Sequence, residues 1–361
     1  MKLVHERFGR TNQGNTVGES GFSLIELMVG MVIFLIVTGA IYSVMQFAQQ
    51  SRGVVNEQVQ LTRSVRLGLN LLGRDTYNAG FGYPLRNTVV LPDNRISLLL
   101  QIPMDFDTTR DTVPPIIAGD QVTLNTYNQA AGVRTDQVTF LFKDPSFNLV
   151  GPVGNQMSQS LDINAATTTS GIDEIVPISG SNAACRIHDI YLINGNTGSA
   201  LGLATGLNGT NKVQFANGDP LNLNLTGASG PLRGITTPAS MLRVILVTYF
   251  VTPDGTLTRR EYANRPPPEP SEPWIDEPLV YGVEDFQIQY IMDDGTISNN
   301  PGAGPNGVPG DADDDQANLA AVRQVRFTIN ARSPQPSSTG QPMRVTMTST
   351  FSTRNLGYEA N

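Results

Sequence analysis

The sequence predicts an α+β fold: a long N-terminal transmembrane helix packed on an antiparallel β-sheet domain with long loops. Three observations carry this. From Phe22 to Ala48 the only charged residue is Glu26. Leu61, Val65, Leu69 and Leu72 then recur at helical spacing, with Arg63, Asn70 and Arg74 on other faces. In the last third, apolar runs of strand length alternate with turns rich in Gly, Pro and Asp.

The helix begins in the apolar run. Leu27 to Met45 contains only Gly30, Thr38, Gly39 and Ser43 as non-hydrophobic residues, and no proline. These 19 residues match the roughly 20 that a helix needs to cross the hydrocarbon of a bilayer. Upstream lie Lys2, Arg7 and Arg10. A basic leader before a membrane segment keeps the N-terminus in the cytoplasm and sends the rest across. A secretory signal peptide is cut after its apolar run, whereas here the small residue Gly21 precedes it. A cut between Gly21 and Phe22 leaves the helix on the mature chain. Glu26 then lies one turn below the new N-terminus, where a carboxylate at the bilayer edge is costly and calls for a partner. Beyond Met45 polar residues enter at Gln46, Gln49, Gln50, Arg52, Asn56 and Glu57, so lipid gives way to water along one continuous helix. Gly80 and Gly82 end it. The expected organisation is a leader at 1–21, a helix at 22–78 with its transmembrane part at about 22–48, and an extracytoplasmic β-rich domain at 79–361.

The stretch Gly21-Phe22-Ser23-Leu24-Ile25-Glu26, followed by an apolar helix, resembles the type III signal of type IV prepilins and pseudopilins. The plain alternative is a signal-anchor helix with a chance acid. The resemblance implies cleavage after Gly21 and methylation of the new amine of Phe22 by a prepilin peptidase. It also implies a subunit-assembly role for Glu26. Further segments, Gly73 to Phe81, Leu279 to Tyr290, Val322 to Phe327 and Phe351 to Asn355, look like those of PilW-type minor pilins, which are related to the J-type pseudopilins of type II secretion. That likeness implies a minor pilin which helps to initiate pilus assembly at or near the tip. Its implied partners are other minor pilins, the major pilin, the inner-membrane assembly platform and, through the helix, membrane lipid. The implied location is the inner membrane with the domain in the periplasm, then the pilus at the cell surface. A J-type pseudopilin and a pilus-associated adhesin are the alternatives.

The chain has 361 residues and a net charge of −8. Residues 1–21 hold Lys2, Arg7 and Arg10 against Glu6 and Glu19, a balance of +1, so the remainder carries −9. With no long basic run, nucleic acid is not an expected partner. Charged residues are only 16% while Gly, Asn, Thr and Pro abound, the usage of a turn-rich β domain. The one cysteine, Cys185, excludes an intrachain disulfide. It reads as a small buried hydrophobe, with an intermolecular bridge or a reactive thiol as alternatives.

Strands are expected at Arg95–Ile102, Asp120–Tyr127, Asp136–Phe142 and Ile187–Ile193, and Asn194–Gly209 reads as a long surface loop. Arg243–Val251 and Leu257–Tyr262 form a hairpin about Pro253-Asp254-Gly255. Arg265 to Pro273 is proline-rich and extended. Leu279–Ile291, Val322–Ala331 and Met343–Ser352 read as three strands of an antiparallel sheet laid on the helix stripe.

Candidate chemistry is sparse. Asp311, Asp313 and Asp315 match the first three ligand positions of an EF-hand loop, with Asp293, Asp294 and Asp314 nearby. The pattern then fails, since Gln316 stands for the glycine and Val322 for the bidentate acid. Hard oxygen ligands on such a loop suit Ca²⁺, and the pseudopilin resemblance points the same way; the alternative is a solvated acidic loop. Gly302 to Gly307 matches a dinucleotide fingerprint formally, but Pro305 denies it the strand-to-helix setting. Beyond the leader the one histidine is His188, expected on the polar face of a strand. With no G-x-S-x-G elbow and no third group for Cys185 and His188, no enzyme is expected.

Overall fold

In the computed structural model the dominant element is the helix α1, Leu24–Asn78, of 55 residues. The residues described are 21–84, 89–92, 95–101, 110–128, 130, 132–169, 172–224, 232, 235–264, 273–302, 319, 321–336, 341–354 and 356. Ser23 caps the start of α1: its Oγ accepts the Ile25 N–H at 3.3 Å, and its carbonyl accepts those of Glu26 and Leu27. No proline interrupts the run. At the other end Gly80 and Gly82 adopt φ of 77° and 78°, a conformation glycine enters without steric cost. The Gly80 N–H then donates to the Leu141 carbonyl, which turns the chain onto the domain.

The chain divides into two compact units, Met1–Val55 and Asn56–Asn361. In the first, every described side chain from 21 to 55 is exposed, apolar ones included. By length and composition this part of α1 can cross a membrane.

The second unit contains α1 from Asn56 onward, a short helix α2 (Arg95–Leu100) and nineteen strands among the described residues. These are β1 (Val89–Pro92), β2 (Arg110–Thr112), β3 (Ile116–Leu124), β4 (Arg134–Lys143), β5 (Leu149–Val150), β6 (Met157–Ser158), β7 (Leu161–Thr169), β8 (Ile172–Pro177), β9 (Ile190–Gly195), β10 (Ser199–Leu203), β11 (Gly206–Asn208), β12 (Lys212–Ala216), β13 (Ala239–Val251), β14 (Leu257–Tyr262), β15 (Trp274–Val280), β16 (Val283–Met292), β17 (Ile297–Ser298), β18 (Val322–Pro336) and β19 (Pro342–Ser352). Pairing is antiparallel apart from β1 with β10.

One strand, β13, organises the large sheet. Its first part, Ala239–Arg243, lies between β7 and β9, and its second, Val244–Val251, between β4 and β14. Each part faces its own core. Ile190 to Ile193, Leu201, Phe215 and Met241 fill one core. The other combines Leu61, Val65, Leu69 and Leu72 of α1 with Phe140, Tyr249, Phe286 and Phe327. The expected stripe is therefore the seat of the domain on the helix. The second sheet, in the order β17-β16-β18-β19, completes that core.

Several expected elements differ. Arg95–Leu100 is helical, with Ile96 and Leu100 buried at the i,i+4 spacing of one helix face; a run this short fits either period. The strand expected at Asp120–Tyr127 starts at Ile116 and ends at Leu124. Ile187 and His188 lie in a turn, His188 at φ 65°, and the strand begins only at Ile190. Asn194–Gly209 is not a surface loop, because it contains β10, buried throughout. Small residues let β10 pack tightly, which makes an apolar strand look like linker: a Cβ on Gly202 would come within 2.9 Å of Phe215. Leu279–Ile291 is two strands, broken at Gly282 with φ 77°. The proline-rich segment from 265 to 272 lies outside the described residues.

Candidate functional site

The site expected from the sequence is the head of α1. Gly21, Phe22 and Ser23 precede the first helical turn, and Phe22 is 83% exposed. Glu26 lies in that first turn. Its side chain is exposed, and among the described residues no cation pairs with it. The head thus presents a non-helical Gly–Phe peptide and, one turn on, a lone carboxylate on an otherwise apolar cylinder.

The seat of the domain half is a second functional feature. Its apolar stripe is interrupted by Asp75, which falls on the buried face between Leu72 and Ala79 and is fully buried. Asp75 Oδ1 accepts from Arg74 Nε at 2.8 Å. Asp75 Oδ2 accepts from the Tyr249 hydroxyl at 2.7 Å and from Arg259 Nε at 3.1 Å. The Arg259 guanidinium also reaches Glu261 and Glu277. Burial pushes the Tyr249 phenol up, and the Asp75 carboxylate beside it pushes it further. Burial pulls Arg259 down, but Asp75 and the other acids more than offset this and leave it raised. A carboxylate with three charged or hydroxyl donors is a satisfied buried ion, and it pins the helix to β13 and β14. The sequence signal was an acid on the apolar face of a helix, but two of its partners, Tyr249 and Arg259, lie 174 and 184 residues away.

The two sheets are joined by side chains in place of a ladder. Asp136 of β4 accepts the Gln121 N–H at 2.9 Å and the Ile288 N–H of β16 at 2.6 Å. The Asn125 amide donates to the carbonyls of Val283 and Glu284, and the Asn128 amide to that of Glu284. Burial pushes the Asp136 carboxyl up to about 7; the two N–H donors oppose this, while Asp120 and Asp285 add to it. No sequence motif marked this joint.

The remaining candidates that lie among the described residues take structural places. Cys185 is buried, and burial pushes its thiol up to about 11, the opposite of an activated thiolate. Asp189 next to His188 accepts from Arg186, Arg243 and Tyr191, and Arg243 also holds Asp144. This network ties β4, β9 and β13 together. Asp294 closes a turn through Thr296, and Asp293 faces Arg323 at 3.7 Å. Among the described residues no three His, Cys, Asp or Glu side chains gather as a metal site. Asp311, Asp313 and Asp315 lie outside the described residues.

Residues 18–42 match the family described as the prokaryotic N-terminal methylation motif. No curated protein matches the chain. The motif implies processing by a prepilin peptidase and assembly into a pilus or pseudopilus, and the single apolar helix is consistent with inner-membrane anchoring. The motif, the uncovered helix and the sheet-rich domain together support a type IV pilin-like protein with a prepilin signal, a pilin or a pseudopilin.

Proposed function

We propose that the chain is a minor pilin of a type IV pilus, which helps to initiate assembly and stands at or near the pilus tip. Peptidase cleavage removes residues 1–21, and the new amine of Phe22 is methylated. The domain, residues 79–361, then stands in the periplasm until the subunit enters the filament with other minor pilins, the major pilin and the assembly platform. The role is structural.

The observation that carries the reading is Glu26, the sole charge between Phe22 and Ala48, unpaired on an apolar helix. In the mature chain the nearest positive charge is the Phe22 amine, about 6 Å up the axis at ~1.5 Å per residue. A neighbouring subunit displaced along the filament axis presents its own amine to this carboxylate in apolar surroundings. Leaving either charge buried and unpaired costs on the order of 3–5 kcal/mol, so the pairing selects one register between subunits.

The test is Glu26→Ala at native expression in a deletion strain. It is expected to insert and to be cleaved, yet to leave the cells without pili, with Glu26→Asp partly active. Full piliation by Glu26→Ala sinks the assembly role.

A further inference from the structure

A strand at the edge of a sheet exposes a row of unpaired N–H and C=O groups, and folded proteins blunt such edges. Most edges here are blunted. Strands β2, β11 and β17 have only two or three residues each. In β15, Pro278 removes a donor and Asp276 and Glu277 add charge. A bulge between Gly119 and Thr123 interrupts β3. Strand β19 differs. It has 11 residues, pairs among the described residues only with β18, and from Val345 to Ser352 contains no charge, proline or glycine.

Its geometry fixes which groups are open. The Thr353 N–H donates to the Arg323 carbonyl, and the register from Gln324↔Ser352 to Arg332↔Arg344 is unbroken. In an antiparallel ladder alternate residues point toward the partner. Residues 345, 347, 349 and 351 therefore bond β18, while Arg344, Thr346, Thr348, Thr350 and Ser352 aim their N–H and C=O groups outward. This open row is about 27 Å long at ~3.4 Å per residue. On the inner face Val345, Met347 and Phe351 pack against the core and are only partly buried, so the rim of the core is open along the same margin.

We infer that β19 is a docking edge for a β-strand of a different pilin-like subunit, which extends the sheet and caps Val345, Met347 and Phe351. The inference rests on the pilin reading above for its partner. Hydrogen bonding demands an extended guest, and the margin demands apolar side chains at alternate guest positions. The uncharged Thr and Ser face asks for an uncharged one. A second copy fits poorly. Antiparallel pairing of β19 with itself places a two-fold axis normal to the sheet, and that axis reverses, in the second copy, the Asn56–Asn78 part of α1 that packs on this core. Subunits that share one direction along a filament do not have that relation.

The probe is a peptide copying residues 324–331 with Arg326 replaced by Gln, an uncharged strand in which Val325, Phe327, Ile329 and Ala331 alternate as an inner-face strand requires, added to the full mature chain in detergent micelles. Binding is expected, with new hydrogen-exchange protection at Thr346, Thr348 and Thr350 and none gained at Val345, Met347 and Ser349. Thr348→Pro, which removes an outward donor, is expected to weaken binding at least tenfold. The pair Thr346→Lys with Ser352→Lys, which lie opposite Asn330 and Gln324 of β18, guards the edge and leaves the backbone bonds to β18 in place, and is expected to do the same. Protection gained at both sets of amides, or equal binding by the guarded chain, overturns the inference. In cells, a photo-crosslinking residue at 348 is expected to capture another pilin-like subunit; capture of a second copy of this chain overturns the choice of partner. Normal pili with the guarded edge alongside loss of pili with Glu26→Ala refutes the docking edge and leaves the pilin reading standing.

Discussion

Asp136 occupies a place where a ladder of backbone hydrogen bonds would otherwise run. Its carboxyl accepts N–H groups from β3 and β16, with Asp120 and Asp285 close by and the Tyr290 hydroxyl buried without a hydrogen-bond partner among the described residues. In the unfolded chain an Asp ionises near 4, and in the fold this one is raised to about 7. The folded state holds a proton that the unfolded state has lost, so stability falls as pH rises from about 4 to about 7 and levels off above. Denaturant unfolding followed by the single tryptophan, Trp274, is expected to show this fall in the wild type and a flatter profile in Asp136→Asn. Equal slopes for the two would remove the carboxyl from the account. At the other end of the chain, Gly21 has no side chain to obstruct a peptidase closing around the scissile bond. Gly21→Val is expected to leave an uncut precursor in the membrane; a mature chain beginning at Phe22 in mass spectrometry would place the determinant elsewhere.

Among the elements, α1 changes from an uncovered helix to one packed on the domain, and its sequence changes with it. From Phe22 to Val55 the helix is uncovered; from Leu61 to Ala79 one face is buried against both sheets. The seat is tight. A Cβ on Gly73 would collide with the Phe351 ring, and one on Gly68 would come within 2.9 Å of Val280. Leu72 is fully buried, so Leu72→Ala is expected to cost about 2–5 kcal/mol, read as a lower denaturation midpoint of the domain. Leu67→Ala, on the exposed face, is expected to change the midpoint by less than about 0.5 kcal/mol. Similar losses for both would mean that the domain does not sit on the stripe. Gly73→Leu is expected to be worse than Leu72→Ala, because an aromatic ring on an edge strand must move out of the way.

For the molecule as a whole, charge is unevenly placed. Residues 52–78 carry Arg52, Arg63, Arg66 and Arg74 against Glu57 and Asp75, a balance of +2. With +1 in residues 1–21 and −1 from Glu26, the total of −8 leaves −10 for residues 79–361. Part of that charge lies at Asp311, Asp313, Asp314 and Asp315. If this run takes Ca²⁺, binding to the folded state stabilises it by RT ln(1 + [L]/Kd), about 2.7 kcal/mol at a hundredfold excess over Kd. Melting the full mature chain in millimolar Ca²⁺ and in chelator is expected to separate the midpoints, and Asp313→Asn is expected to close the gap. Identical midpoints return the loop to plain solvation.

How much could be read in advance follows from the range of the interactions involved. The end of α1, its change from an all-round apolar to a striped surface, the stripe from Leu61 to Leu72 and the β13–β14 hairpin are written in neighbouring residues: glycine stops, a 3.6-residue period and a Pro-Asp-Gly turn. The motif at the head of the helix was legible for the same reason, since Gly21, Phe22 and Glu26 fall within six consecutive residues. Long-range pairing was not legible. Nothing near Asp75 in the chain announces Arg259 and Tyr249, and nothing near Asp136 announces Ile288. The buried strand β10 passed for a loop because its small residues are explained only by Phe215 packed against them. Arg95–Leu100 passed for a strand because six residues are too few to separate the two periods. The open edge of β19 is invisible to any local pattern, because whether a strand has one neighbour or two is decided by where the rest of the chain folds.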